Sequence, residues 1–259
     1  MYKVKDIAKV IERLAPKELA EKWDNVGLMV GDFEQEVSTV FVCLDVTSEN
    51  VRCAIASGAD LIVSHHPLIF SPLKRIVESD VSGSIIRELI QNNISVYSAH
   101  TNLDNADGGM NDILAEKLGL EDVRPFTDEE KADSDGIGRI GKLDTTMELA
   151  DFVDFVKNVL GCRSIRSVGE PTENISTVAL CTGAGGDGIF TAYRAGADAY
   201  VTSDIRHHEA QLAYELGINL VDAGHFETEN TICEFMKDYL EENLPLLNVI
   251  ASDAAPYFM

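Results

Sequence analysis

Two adjacent histidines at the end of an apolar run are the first residues of the chain whose types could do chemistry. Residues 60–67 read Asp-Leu-Ile-Val-Ser-His-His-Pro, so a strand-like segment stops at His65 and His66, and Pro67 prevents it from continuing. Proteins with alternating strands and helices keep their chemistry at the carboxyl ends of strands. Because adjacent strand side chains point to opposite faces, the two imidazoles can serve one metal ion only if the strand breaks there, and two ions if it does not.

A second histidine motif occurs twice in the chain. His100 is followed four residues later by Asp104, and His225 is followed four residues later by Glu229, at an offset of 225 − 100 = 125. Each motif comes directly after a predicted strand. An imidazole and a carboxylate with this spacing can face one cavity if the chain turns helically between them.

Five of these side chains form a candidate site for two divalent transition metal ions. Mixed imidazole and carboxylate donors suit zinc, iron, manganese or cobalt better than calcium or copper(I). Two such ions about 3.5 to 4 Å apart, bridged by a carboxylate and a water, would hold a hydroxide for attack on carbon or phosphorus. We expect Glu229, the longer carboxylate, to be the bridge. The expected metal ligands are His65, His66, Asp104, His225 and Glu229.

Each of these residues also has a structural interpretation. A single histidine at a strand end is ordinarily a hydrogen-bonded loop residue, and Asp104 could be a turn residue or a helix cap. The metal interpretation is favoured because four of the six histidines lie at strand ends, each near another histidine or an acid. His100 could be a ligand, but five donors already suffice, so we assign it to catalysis as a proton carrier. His207 and His208 open a predicted helix and are either exposed or directed at a substrate.

A glycine-rich loop follows a later strand and precedes a helix. Residues 183–188 read Gly-Ala-Gly-Gly-Asp-Gly, and such a loop can present backbone N–H groups to a phosphate. The loop lacks the Gly-Lys-Ser/Thr of nucleotide triphosphatases, and as a dinucleotide fingerprint it is weak. The alternative is a tight turn that needs glycine for its backbone angles. The candidate substrate-binding residues are Gly183, Gly185 and Gly186.

The predicted elements around these motifs alternate between strand and helix, which is typical of an α/β fold with mostly parallel sheets. The alternation occurs twice: Ser-Thr-Val-Phe-Val-Cys at 38–43 resembles Ser-Thr-Val-Ala-Leu-Cys at 176–181, at an offset of 176 − 38 = 138. The same offset aligns Ser-Gly-Ala-Asp at 57–60 with Ala-Gly-Ala-Asp at 195–198. We therefore predict two similar α/β halves that arose by duplication, each a mostly parallel sheet flanked by helices, with the metal site in the cleft between them.

An acidic, turn-rich stretch from Glu121 to Asp135 predicts the boundary between the halves. We assign residues 1–125 to the first half and 126–259 to the second, and the last helix and strand could pack back on the first half. The net charge of −23, from 44 acidic and 21 basic residues, argues against nucleic acid and anionic membranes as partners. No apolar run reaches the roughly 20 residues of a membrane span, and the five cysteines show no CxxC spacing, so we expect a cytoplasmic protein.

Four segments together resemble the Nif-three-like family of dinuclear-metal proteins, also labelled type 2 GTP cyclohydrolase I homologues. They are Trp-Asp-Asn-Val-Gly-Leu at 23–28, Ser-His-His-Pro at 64–67, His-Thr-Asn-Leu-Asp at 100–104 and Asp-Ala-Gly-His-Phe-Glu-Thr-Glu at 222–229. The resemblance covers nearly the whole chain. It implies a toroidal homohexamer, and metal ligation by the five residues named above. Longer relatives insert a domain near the middle, for which residues 121–138 leave too little chain.

Three functions are compatible with these features. The first is a metal-dependent hydrolase in which a bridging hydroxide attacks a nucleotide or another small molecule with an N-heterocyclic ring. The second is a phosphoester hydrolase that uses the same metal pair. The third is a ring-shaped scaffold or regulatory protein that binds metal, or a partner protein, without turnover. The family label does not decide among them, because a shared fold does not carry a reaction with it.

Overall fold

The computed structural model describes residues 1–126 and 138–258. The strands are β1 (Tyr2–Lys3), β2 (Gly27–Val30), β3 (Glu36–Val37), β4 (Thr39–Cys43), β5 (Leu61–Ser64), β6 (Ser95–Ser98), β7 (Leu120–Pro125), β8 (Arg139–Glu148), β9 (Arg166–Val168), β10 (Asn174–Ala184), β11 (Ala199–Ser203), β12 (Asn219–Asp222) and β13 (Asn248–Ala251). The helices are α1 (Val4–Leu14), α2 (Ser48–Ala56), α3 (Val81–Gln91), α4 (Thr101–Asn105), α5 (Met110–Lys117), α6 (Leu149–Leu160), α7 (Ile189–Arg194), α8 (His207–Leu216), α9 (His225–Glu229) and α10 (Ile232–Asn243). Single 3-10 turns occupy Lys17–Leu19 and Gly186–Gly188.

The chain divides into two compact units. Unit 1 comprises Met1–Ala106 and Asn230–Ala255, and unit 2 comprises the described residues of Asp107–Glu229 and of Pro256–Met259. The sequence placed the division after residue 125 instead. The difference arises because α5 packs against β8 and β10 and β7 pairs with β8, so both elements belong to unit 2. The last helix and strand belong to unit 1, where β13 pairs with β4.

Unit 1 is built on a five-stranded sheet with the order β13-β4-β5-β6-β2. All its neighbouring strands are parallel except β2, which runs antiparallel to β6. The central strands are buried on both faces, which is why they read as continuous apolar runs in the sequence. One apolar cluster joins these strands to α2 and α3, with Phe41, Val51, Ile62, Leu89 and Val96 among its members.

Unit 2 is built on a six-stranded sheet with the order β7-β8-β10-β11-β12-β9. The adjacent strands β10, β11 and β12 are parallel. β8 is antiparallel to β10, β9 is antiparallel to β12, and the edge strand β7 is antiparallel to β8. The apolar face of α6 packs on this sheet through Leu149, Phe152 and Val156, which are almost wholly buried. Both units are therefore α/β with helices flanking a sheet, as predicted.

The two units repeat one path of the chain. In unit 1 the path is β4-α2-β5-α3-β6-α4, and in unit 2 it is β10-α7-β11-α8-β12-α9, with the same strand order in each sheet. The repeat extends to single hydrogen bonds: a carboxylate oxygen of Asp60 accepts from the amides of residues 38 and 39, and that of Asp198 accepts from those of 176 and 177. In each unit this aspartate ties the start of the second parallel strand to the start of the first.

β8 keeps pairing with β10 as far as Glu148, and α6 begins at the next residue, Leu149. The chain after β12 forms two helices, α9 and α10. The first residues of the acidic stretch form β7, and the part from 127 to 137 lies outside the described residues. Among the helices described, none has the length and apolar character that a membrane crossing requires.

Candidate metal centre

The three histidines of unit 1 follow neighbouring parallel strands. His65 and His66 come directly after β5, where their amides donate to the carbonyl oxygens of Cys43 and Leu44. His100 comes two residues after the end of β6, immediately before α4. Because β5 and β6 are parallel neighbours, their carboxyl ends meet at one edge of the sheet. This topology brings residues 35 positions apart in sequence (100 − 65 = 35) to one place.

The imidazole rings of these histidines form a compact cluster. Their centroids lie 5.3 Å apart for His65 and His66, 5.2 Å for His65 and His100, and 5.6 Å for His66 and His100. One ring nitrogen from each of the three lies within 4.8 Å of the other two. Asp104, on α4, places Oδ1 3.5 Å from Nε2 of His65, and both residues are buried. Unit 1 thus brings together His65, His66, His100 and Asp104.

Every ring in this cluster is held at Nδ1 by an oxygen. His65 Nδ1 donates to the carbonyl oxygen of Ala99 at 2.8 Å, since a carbonyl can only accept. His66 Nδ1 is 2.7 Å from Oδ1 of Asp45, and His100 Nδ1 is 2.9 Å from Oδ1 of Asp24. This arrangement fixes the tautomer with hydrogen on Nδ1, which leaves Nε2 as the nitrogen that can bind a metal ion or carry a proton.

Asp24 is a charged anchor for the region around His100. Burial by itself would raise the pKa of this carboxyl, but hydrogen bonds from His100 and Thr101 outweigh it and lower the pKa to about 2. The same carboxylate accepts from the amide of Thr101 at 3.1 Å, which fixes the start of α4. Asp24 is therefore ionised at neutral pH and holds both His100 and the helix that carries Asp104.

Unit 2 places its two expected ligands one helical turn apart on α9. Nε2 of His225 lies 2.9 Å from Oε2 of Glu229, whose side chain is buried. His225 Nδ1 lies 2.7 Å from Oδ2 of Asp204, which follows β11 in a left-handed conformation. The four histidines after the strands of the two units therefore share one feature, an oxygen acceptor at Nδ1.

Gly183 makes room for the side chains of α9. It lies in β10 where the pairing with β11 shifts register, and its φ is +63°. A Cβ atom at this position would overlap Oε1 of Glu229 and lie 3.3 Å from Nε2 of His225. The backbone of β10 therefore approaches the carboxylate and imidazole more closely than any residue with a side chain would allow.

The glycine-rich loop is closely packed within unit 2. The amide of Gly183 donates to Thr228 Oγ1 at 3.1 Å, and that of Gly185 donates to Thr202 Oγ1 at 3.0 Å. The Glu209 carboxylate lies against Gly186, close enough to meet a Cβ atom placed there. Phosphate binding by Gly183, Gly185 and Gly186 stays a prediction, and two of these amides would have to exchange a threonine hydroxyl for the phosphate.

The donor chemistry of both units fits borderline divalent metal ions. Imidazoles with a fixed Nδ1–H and carboxylates close to Nε2 are the arrangement in which proteins hold such ions. The separations of up to 4.8 Å within the unit 1 cluster are wider than those of two ligands on one ion with bonds of about 2.1 Å. Binding of one ion by these groups would therefore require the side chains to close on it.

Sequence reasoning missed the acidic residues that orient the histidines, namely Asp24, Asp45 and Asp204. Two of them had a recognisable signal, because Asp45 and Asp204 follow strands β4 and β11 within two residues of their ends. His207 and His208 are the first two residues of α8, and both are exposed. Glu209 caps the N-terminus of this helix, since its carboxylate accepts a hydrogen bond from the backbone amide of Arg206.

Comparison with known proteins identifies the family of the chain. The model of the family described as Duf34/NIF3 (NGG1p interacting factor 3) matches residues 2–256. A Clostridium perfringens protein named GTP cyclohydrolase 1 type 2 homolog is 38% identical over 243 residues, which cover 93% of this chain and 92% of that protein. A Methanocaldococcus jannaschii protein of the same name is 35% identical over 246 residues, covering 94% and 97%.

A solved structure gives the same result for the fold. The crystal structure of a Bacillus cereus protein related to NIF3 superposes with a TM-score of 0.94 at 28% identity, and the match covers 100% of this chain and 99% of that one. The family match spans nearly the whole chain and includes all the histidines described above. The chain belongs to the Duf34/NIF3 (NGG1p interacting factor 3) family.

Proposed function

We propose that this protein is a metal-dependent hydrolase that uses two divalent transition metal ions to act on a nucleotide or another N-heterocyclic compound at a C–N bond. The observation that carries the proposal is the common environment of four histidines, each with an oxygen acceptor at Nδ1. Structural histidines have no need of a shared tautomer. Metal-binding and proton-carrying histidines do, because Nε2 must be kept without hydrogen.

We propose the metal ligands named from the sequence, which are His65, His66 and Asp104 in unit 1 and His225 and Glu229 in unit 2. The support within each unit is the proximity of a carboxylate to an imidazole, 3.5 Å for Asp104 and His65 and 2.9 Å for Glu229 and His225. The metal pair would supply Lewis acidity and a water of lowered pKa. Zinc, iron, manganese and cobalt all suit these donors.

His100 is the proposed proton carrier. Its ring stands beside those of His65 and His66, and its Nδ1 is held by Asp24, so the hydrogen-free Nε2 can accept a proton and later return it. The ionised Asp24 stabilises the imidazolium that forms after protonation. Under this proposal His100 transfers protons and the other five residues bind the metal ions, so His100 is dispensable for metal binding and necessary for turnover.

The name of the relatives supplies the first substrate to test. Several are called GTP cyclohydrolase 1 type 2 homolog. Hydrolysis of both C–N bonds at C8 of the guanine ring, by two waters, opens the ring to a formamide and then releases formate. We propose incubation of protein loaded separately with each of the four metals, with formate measured against a His100→Gln variant of equal metal content. Formate release by the wild type alone supports the proposal for GTP.

Other outcomes of the same experiment separate the alternatives. No formate rejects GTP, and a panel of purines, pyrimidines and pteridines then tests the class of N-heterocycles. Release of phosphate or nucleoside would identify a phosphoester hydrolase. Full metal content without turnover of any member of the panel would contradict hydrolysis and favour a metal-binding scaffold.

We also propose the homohexamer that the family resemblance implies, and the cytoplasmic location expected from the cysteine spacing and the lack of a long apolar run. The net charge of −23 is compatible with small-molecule substrates and unfavourable for nucleic acid. Light scattering of the purified full chain would give the mass of the assembly directly. A monomeric mass at working concentration would contradict the hexamer.

A further inference from the structure

Two exposed aromatic side chains of unit 1 stand beside the imidazole cluster. The Trp23 ring centroid lies 5.9 Å from that of Phe70 and 6.4 Å from that of His100, and the Phe70 and His100 centroids are 6.5 Å apart. Trp23 is 58% exposed and Phe70 is 51% exposed. Large apolar rings are ordinarily buried, so two that remain this exposed next to a cluster of chemically active groups indicate a binding surface.

Hydrogen bonds from the residues next to Trp23 and Phe70 hold the backbone that carries these rings. Asp24, next to Trp23, binds His100 and Thr101, and Asn25 donates from its side-chain amide to the carbonyl oxygen of Ile69, next to Phe70. The loop of Trp23 and the loop of Phe70 are therefore tied to each other and to His100. A ligand that contacts the two rings would lose little free energy to ordering them.

We propose that Trp23 and Phe70 form a stacking platform for the planar N-heterocycle of the substrate, with a purine base as the best-fitting class. The inference rests on the proposed function, since the platform would hold the ring next to His100. Aromatic side chains bind bases through their π faces without any positive charge. This mode of binding suits a chain with a net charge of −23, because the overall negative charge does not attract a polyphosphate.

The chain offers a direct reporter for this contact, because Trp23 is its only tryptophan. A base stacked on the indole ring quenches its fluorescence, and no other tryptophan contributes to the signal. The probe is guanosine, which has no phosphate that could bind the metals, and the metal-loaded full-length protein is titrated with it. Ribose is the matched control without a base. We expect saturable quenching by guanosine and none by ribose.

Four variants test whether guanosine binds at the platform. Phe70→Leu, which keeps the reporter, should raise the dissociation constant for guanosine about 5-fold or more, because loss of one stacking contact costs at least about 1 kcal/mol and 1.4 kcal/mol is tenfold. Phe33→Leu is the control, since Phe33 is also exposed but its ring lies 5.9 Å from the Lys17 ammonium. Its dissociation constant should equal that of the wild type. Equilibrium dialysis should show weaker guanosine binding in Trp23→Leu and near-normal binding in Trp23→Phe.

The results separate this inference from the proposed function. Absence of quenching, or quenching that Phe70→Leu leaves unchanged, would overturn the platform even if the protein hydrolyses a substrate. Guanosine binding that persists without any turnover would keep the platform and contradict the hydrolase. If Trp23→Leu dissociates the assembly in light scattering while guanosine binding is normal, the rings belong to a contact between copies of the chain, and the platform is rejected.

Discussion

Nδ1 of His66 lies 2.7 Å from Oδ1 of Asp45, and the two residues follow neighbouring parallel strands of unit 1. The carboxylate orients the ring and makes it a better metal ligand, and loss of such a partner typically lowers metal affinity about 10- to 100-fold. We expect this loss in Asp45→Asn, measured by competition with a chelator. Glu49→Gln, a nearby exposed acid in the first turn of α2, should retain the affinity of the wild type.

A different result is expected at Asp24, which holds the proton carrier and contacts no proposed ligand directly. Asp24→Asn should lower turnover about 10- to 100-fold and leave metal content unchanged, since His100 then loses its charged partner. Asp32→Asn, an exposed acid of the same unit, serves as the control. Loss of metal in Asp24→Asn would show that Asp24 supports metal binding, either through His100 or through the start of the helix that carries Asp104.

The same carboxylate also predicts a dependence of stability on pH. The Asp24 pKa is lowered from 3.8 to about 2 in the folded protein, so its stabilising contribution is complete above the unfolded value and is lost as the pH falls toward 2. The free energy of unfolding of the wild type should therefore fall more steeply below about pH 4 than that of Asp24→Asn. Parallel curves for the two proteins would contradict this assignment.

Gly183 and Gly196 provide a matched pair of substitutions within unit 2. Both have positive φ, +63° and +80°, but only at Gly183 would a Cβ atom meet Glu229, and nothing lies within 4 Å of the position at Gly196. Gly196→Ala should cost about 1 kcal/mol of unfolding free energy and leave metal affinity unchanged. Gly183→Ala should also displace the Glu229 carboxylate and weaken metal binding. Equal metal affinities in the two variants would show that Glu229 is not a ligand.

Asp60 and Asp198 test the duplication energetically. Each accepts two backbone amides at the start of the first parallel strand of its unit. Removal of the carboxylate in Asp60→Ala or Asp198→Ala should lower the free energy of unfolding by about 1.5 to 3 kcal/mol, the range for hydrogen bonds to a charged group. Denaturant unfolding measures the free energy of unfolding of both variants. The control is Asp154→Ala, an exposed position on α6, which should change this free energy by less than about 0.5 kcal/mol.

The parts of the fold that were predictable from sequence are those set by local pattern. The apolar runs that become β4 and β5 recur 138 residues later as β10 and β11, and β6 with His100 recurs at an offset of 125 as β12 with His225. The extent and pairing of the antiparallel strands β7 and β8 were harder to predict from the sequence. Their partners are fixed by tertiary contacts, and their exposed residues give no periodic signal.

The candidate site was predictable to a similar degree. His65, His66, Asp104, His225 and Glu229 have the spacing of ligands, whereas the anchors of the rings lie far away along the chain. Asp24 is 76 residues from His100, and only the sheet topology brings them together. The proposed aromatic platform was missed because Trp23 and Phe70 are far apart in sequence, and the segment at 23–28, although part of the family resemblance, suggested no chemical role for Trp23.

The metal content of the purified full chain tests the central claim most directly. Elemental analysis of protein loaded with excess metal and then freed of unbound ions should give about two divalent ions per chain for the wild type. His66→Ala and His225→Ala should each contain fewer ions and keep the fold, as judged by circular dichroism. Wild-type protein that holds no divalent ion after loading, or two folded variants that hold as many as the wild type, would contradict the account.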